Sequence, residues 1–220
     1  MDIGLPFLHS LANTAKYKES SWLIRWDILS DFEDAAELSE ADKRPKPCKV
    51  GRSLIFAYAE EAARHLELSF RDTVEDNLEQ VVKQRLLGEI KDSSEPNKNG
   101  KKASIQVKAD KTFTIQLFPS VFPLPLQRRV LIAHELAHYI LHSQWGKVEL
   151  EASCGAESDD MNEEAENEAY EFARAFLVPT DLLRKAVESF GKDRALIAAY
   201  FMVPEPIARQ RMQDIGCTER

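Results

Sequence analysis

An α+β fold, mainly helical with a small antiparallel hairpin, is what this 220-residue sequence predicts. Three observations carry that prediction. From Gln127 to Gln144 the chain is rich in apolar residues and contains neither Gly nor Pro; from Glu163 to Val178 a second apolar stripe recurs at helical spacing until Pro179 stops it. Between Ala103 and Leu117, Ala103-Ser104-Ile105-Gln106-Val107 and Thr112-Phe113-Thr114-Ile115-Gln116-Leu117 alternate apolar with polar around Ala109-Asp110-Lys111. A spacing of three to four residues buries one face of a helix, and strict alternation buries one face of a strand.

In chain order, residues 1–50 read as a helical extension and linker, and residues 51–220 as one domain with its C-terminal helices. Ser21 to Leu38 suits one helix with Trp22, Trp26 and Leu29 along a side, and two tryptophans so spaced serve packing more often than ligand binding. Lys43-Arg44-Pro45-Lys46-Pro47 reads as the linker, since two prolines and three cations discourage packing. Ser53 to Leu68 and Val74 to Leu87 carry helical apolar patterns. Between Lys91 and Lys102 the run Asp92 to Gly100 reads as a solvated loop, the hairpin follows it, and Pro119, Pro123 and Pro125 lead into the next helix.

That helix contains His134-Glu135-Leu136-Ala137-His138, the pattern H-E-x-x-H. Residues four apart on a helix are neighbours, so two imidazoles would face one point, as a single Zn2+ ion requires. A catalytic zinc uses three protein ligands and leaves a fourth position to water, so a third ligand is needed. Glu135, beside the first ligand, is placed to take a proton from water attacking a carbonyl. His142 continues the series but lies about 12 Å along the axis from His134, which suits a supporting or surface role better than ligation.

The connection from Ser143 to Asn162 is acidic, and reads as a solvated loop or an electrostatic lip to a cleft. On the helix after it, Ala165, Ala169, Phe172, Ala173 and Phe176 form the apolar stripe, and Glu166 and Glu168 flank it on opposite sides. Either can lean toward a metal, and periodicity does not choose between them. The run H-E-L-A-H-Y-I-L-H followed by E-N-E-A-Y-E-F-A-R-A-F-L-V-P resembles the ImmA/IrrE family of zinc metallopeptidases. The resemblance runs from about Ala103 to the C-terminus. It implies a zincin-like metallopeptidase domain with Glu166 as third ligand and the hairpin strands holding extended substrate by an edge; alternatively the hairpin simply covers the metal helix. Where the family usually has Asn or Asp to orient a zinc histidine, this chain has Tyr170, so the surroundings of the metal are expected to be built differently.

Three C-terminal helices are expected, over Asp181–Phe190, Asp193–Phe201 and Glu205–Ile215, with Asp181 and Asp193 as N-terminal caps. Their sequence resembles the same family and, loosely, a helix-turn-helix, which two packed helices explain without DNA.

Composition narrows the classes. At 44% hydrophobic and 30% charged residues the chain can bury a core, and no apolar run reaches the length of a membrane span. No signal-peptide layout opens it, and Cys48, Cys154 and Cys217 are odd in number and widely spaced, so the cytoplasm is expected rather than a disulfide framework. A net charge of -8 opposes a dedicated nucleic-acid binder. The expected activity is therefore zinc-dependent endopeptidase cleavage. The resemblance implies a regulatory protein substrate such as a helix-turn-helix, DNA-binding repressor, which the nine carboxylates between Glu149 and Glu168 would attract through its cationic surface. A non-catalytic zinc-containing module that sequesters a repressor or toxin is the alternative, and Glu135 separates the two.

Overall fold

The computed structural model describes residues 43–68, 78–94, 100–119, 124–155 and 162–217. The helix expected over Ser21–Leu38, residues 74–77 of the second expected helix, Pro123, and the acidic residues Glu157, Asp159 and Asp160 lie outside them. Contacts divide the chain into residues 1–42 and residues 43–220, and all the described residues belong to the second unit.

Its elements are α1 (Arg52–His65), α2 (Leu78–Gln80, continued by a π-helical turn Val81–Arg85), β1 (Glu89–Asp92), β2 (Ala103–Val107), β3 (Phe113–Leu117), α3 (Pro125–Ala137, continued by a π-helical turn His138–His142), β4 (Leu150–Cys154), α4 (Glu163–Leu177), α5 (Thr180–Phe190), α6 (Arg194–Phe201) and α7 (Glu205–Asp214). Pro125 stands at the first turn of α3, where a missing N–H costs nothing. Asp193 caps α6 as expected, accepting from Ala195 N and Leu196 N at 3.0 Å each. Asp181 does not cap α5: the cap position is Pro179, and Asp181 sits in the first turn, where a carboxylate favours the helix dipole.

The four strands lie in the order β1-β3-β2-β4. The β2–β3 hairpin has Ile105 opposite Ile115, and its turn is closed by Asp110 accepting from Thr112 N and Thr112 Oγ1. Two strands extend it. β4 pairs antiparallel with β2, and β1 pairs parallel with β3. The stretch expected as an acidic loop thus holds a strand, because Leu150, Ala152 and Cys154 are buried in alternation with Glu151 and Ser153. Asp92, expected in a solvated loop, belongs to β1, which is mostly exposed and so carries no period-two pattern.

The chain enters this unit as more than a linker. Pro45 is buried, and Lys43 O accepts from Glu151 N at 2.7 Å on the outer side of β4. Apolar residues of the sheet and of α3 share one core with α1 and α4. Aromatic contacts run through it: Phe113 on Tyr139 with ring centroids 4.1 Å apart, Tyr139 against Trp145, the Trp145 indole N–H donating to Tyr58 OH, and Tyr58 edge-on to Phe172. At the far end, fully buried Arg211 of α7 donates to Val178 O at 3.0 Å and to Glu60 Oε1 at 2.9 Å, tying α7 to the end of α4 and to α1. No helix among the described residues is long and apolar enough to cross a membrane.

Candidate metal centre

α3 and α4 pack against one another, and the H-E-x-x-H residues lie on the buried side of α3. His134, Glu135 and His138 are each 0% exposed, and Glu166 from α4 is 7% exposed. Three side chains converge. His134 Nε2 stands 3.1 Å from Glu166 Oε2, His138 Nε2 stands 3.2 Å from Glu166 Oε1, and the two Nε2 atoms are 3.3 Å apart. The edges of a tetrahedron around an ion with bonds of about 2.0–2.1 Å measure about 3.3 Å, so these separations are those of three ligands on one ion. The residues present therefore fit a metal.

Electrostatics agree with that use. Burial holds His138 well down, to about 3, helped by His134 and His142 and opposed by Glu166, so its imidazole is neutral as a ligand must be. Burial alone would raise the Glu166 carboxyl, but its contacts with the His134 and His138 imidazoles outweigh it and bring it to about 2. Glu135 is pushed well above 4.5, chiefly by burial and against the lowering effect of the Cys154 thiol beside it; apart from that weak thiol contact its oxygens have no hydrogen-bond partner. Its carboxyl shares a cluster within 4.8 Å with His134 and the buried Cys154 thiol. A buried carboxyl this poorly satisfied, beside three convergent side chains, calls for an explanation in function.

Glu166 and Glu168, which helical phase left equivalent, separate here. Glu166 meets His134 and His138; Glu168 is also buried, at 6% exposed, but meets His142, whose Nε2 lies 3.1 Å from Glu168 Oε2. Tyr170 does not replace the expected orienting Asn or Asp with a hydrogen bond. Its ring, 40% exposed, lies against the His134 ring at a centroid distance of 4.2 Å, and His134 Nδ1 has no hydrogen-bond partner. Cys154 escaped sequence reasoning because its strand did, although the Leu-Glu-Ala-Ser-Cys alternation was a usable signal.

The hairpin cannot hold substrate by an edge, because β1 covers β3 and β4 covers β2. The edge beside the site is β4, which ends at Cys154 next to Glu135. The acidic stretch is also weaker as a lip than its nine carboxylates suggest: Glu166 and Glu168 are buried in the centre, Glu149 pairs with Lys43 at 2.8 Å, and Glu151 accepts from Gln106 at 2.9 Å.

Residues 124–213, from the start of α3 through α7, match the IrrE N-terminal-like domain. Over 92 residues the chain is 30% identical to "Metallopeptidase ImmA" of Bacillus subtilis, an alignment covering 40% of this chain and 51% of that one, so the chain spans about half the length of this curated relative. A solved structure of a "Mycobacterium tuberculosis transcriptional regulator" superposes with a TM-score of 0.50 at 18% identity, over 85% of this chain and 51% of that one, a likeness of fold alone. With its matched segment beginning at the start of α3 and ending in α7, this chain is similar over those residues to the ImmA/IrrE family.

Proposed function

We propose that this chain is a zinc-dependent endopeptidase in which His134, His138 and Glu166 hold the ion and Glu135 is the general base. The observation that carries this reading is the convergence of two imidazole nitrogens and one carboxylate at 3.1–3.3 Å, with a buried, unpartnered carboxyl alongside. Two histidines and one glutamate are a donor set of catalytic zinc, which uses three protein ligands and leaves the fourth position to water. When bound, the ion supplies a Lewis acid that polarises the scissile carbonyl and acidifies the attacking water. Glu135 takes the proton of that water and passes it to the departing amine. Burial shields Glu135 from bulk solvent, and the outer edge of β4 beyond Glu151, whose N–H is taken by Lys43 O, offers backbone groups on which an extended peptide can add.

The substrate in this reading is a regulatory protein, with a DNA-binding repressor as the first candidate, on the strength of the family resemblance. The test is a paired measurement on wild type and Glu135→Gln: zinc content of the purified protein, and cleavage of candidate repressors. One zinc per chain in both, with cleavage slowed by about 10²- to 10⁴-fold in the variant, is the expected result. Parental turnover by Glu135→Gln would instead make the chain a binding module.

A further inference from the structure

His142 and Glu168 take no part in the reaction above, yet both are buried, at 8% and 6% exposed, and both are connected to the centre. The connection is continuous. Cys48 N–H donates to Glu168 Oε2 at 2.8 Å and Lys49 N–H to Glu168 Oε1 at 3.0 Å; His142 Nε2 lies 3.1 Å from Glu168 Oε2; and His142 Nδ1 lies 2.9 Å from His138 Nδ1. Lys49 has a φ of 55°, so the two successive amides form the concave anion-binding turn that backbone N–H groups make when a left-handed residue is included.

Two features of the fold bring these groups together. The helix loosens into a π turn at His138–His142, where Ser143 N bonds His138 O. The additional residue in the turn swings His142 back beneath His138, so that nitrogen meets nitrogen. Such turns are frequent at functional sites. Separately, the segment before α1 lays its backbone amides on α4 at Glu168.

With Glu168 as a carboxylate and both imidazoles neutral, one arrangement of protons satisfies the contacts. A carboxylate accepts only, so Glu168 takes the Nε2–H of His142. A neutral imidazole that donates at Nε2 accepts at Nδ1. His138 must then carry its proton on Nδ1, which leaves its Nε2 lone pair facing His134 and Glu166. We propose that Glu168, His142 and the Cys48–Lys49 backbone are a positioning relay that fixes the tautomer and ring angle of His138 for the metal. Metal histidines are commonly held by a carboxylate directly. Here a second imidazole is interposed, and the companion ligand His134, with Tyr170 against its ring and no partner at Nδ1, lacks such support.

The same residues have a competing use, because Cys48, His142 and Glu168 offer ligand atoms within 4.8 Å of one another and resemble a second metal site. The contacts oppose it. Both Glu168 oxygens already accept backbone hydrogen bonds, the second nitrogen of His142 is turned to His138, and the Cys48 thiol faces Leu141 O at 3.7 Å. Burial and the Glu168 charge push that thiol up to about 12, against forming a thiolate ligand.

The relay rests on the zinc reading only for its purpose; its tautomers are measurable without metal. In ¹⁵N-histidine spectra of the metal-free wild type near neutral pH, His138 is expected protonated at Nδ1 and His142 at Nε2. Zinc titration should find one equivalent. His142→Phe and Glu168→Gln should each weaken zinc by about 10- to 100-fold. His142→Gln, whose carbonyl can accept from His138 and whose amide can donate to Glu168, should recover most of the loss. An Nε2–H on His138 in wild type overturns the relay, and so does parental zinc affinity in both His142→Phe and Glu168→Gln. A second zinc equivalent abolished by His142→Phe would establish the competing site instead. Absence of any zinc uptake by wild type would defeat the enzyme reading, while the nitrogen shifts would still decide the relay.

Discussion

Replacing Glu135 by Leu should make the metal-free protein more stable while abolishing hydrolysis. Glu135 is 0% exposed, and apart from a weak contact with the Cys154 thiol neither carboxyl oxygen has a hydrogen-bond partner. A buried polar group without a partner costs about 1–3 kcal/mol, which an apolar side chain of similar size does not incur. For a unit of this size each kcal/mol moves the melting temperature by about 2–4 °C, so a rise of about 2–12 °C is expected. The pH dependence supplies a second check. The folded-state carboxyl sits well above 4.5, so between that value and its own pKa the folded protein holds a proton that the unfolded chain has released. Parental stability therefore falls as pH rises above 4.5, by at most about 1.4 kcal/mol per pH unit. The Leu variant lacks this group, and its advantage should widen from pH 5 to pH 7. Urea unfolding of both proteins in chelator, at the two pH values, measures it. A Leu variant less stable than the parent, or an advantage that does not grow with pH, would falsify the picture of an orphaned carboxyl held ready for chemistry.

Three further outcomes are expected. Glu166→Ala should abolish tight zinc binding, whereas Glu168→Ala should weaken it by about 10- to 100-fold, since one residue meets both imidazole Nε2 atoms and the other acts through His142; a zinc competition titration ranks them, and the reverse order would move the ligand two residues along α4. Tyr170→Phe should leave zinc affinity within about twofold, because the contact with His134 is through the ring, while Tyr170→Ala should weaken it; equal losses in the two would assign the effect to the hydroxyl. Arg211→Leu should cost about 1–3 kcal/mol in urea unfolding, because it removes the donor to Val178 O and the cation beside half-buried Glu60, which keeps the Thr180 Oγ1–H as donor; a change below about 0.5 kcal/mol would show that the network is dispensable.

Much of this was legible from local patterns. The long helices, the β2–β3 hairpin, the cap at Asp193 and the stop at Pro179 follow from periodicity, capping chemistry and proline sterics, which operate within a few residues. The candidate pair His134 and His138, with Glu135 between them, is equally local: four residues along a helix is one turn. β4 was obscured because its acidic neighbourhood resembles a solvated loop, although its alternation was present. β1 had no such signal, since an exposed edge strand need not alternate.

The sequence by itself determined that two imidazoles and a carboxylate share one apolar helix, and the family resemblance nominated Glu166 to complete them. Only the tertiary structure decided which glutamate of α4 meets which histidine. Glu166 and Glu168 lie at similar angles on opposite sides of one stripe, so their roles depend on where α3 crosses α4. The crossing directs Glu166 to the paired Nε2 atoms. The π turn, which no local pattern announced, and the backbone amides of Cys48 and Lys49, over a hundred residues distant in sequence, direct Glu168 to His142. Side-chain type is written in the chain, but the partner of a buried charge is chosen by packing, because desolvation leaves each such group dependent on whichever donor the fold brings within about 3 Å.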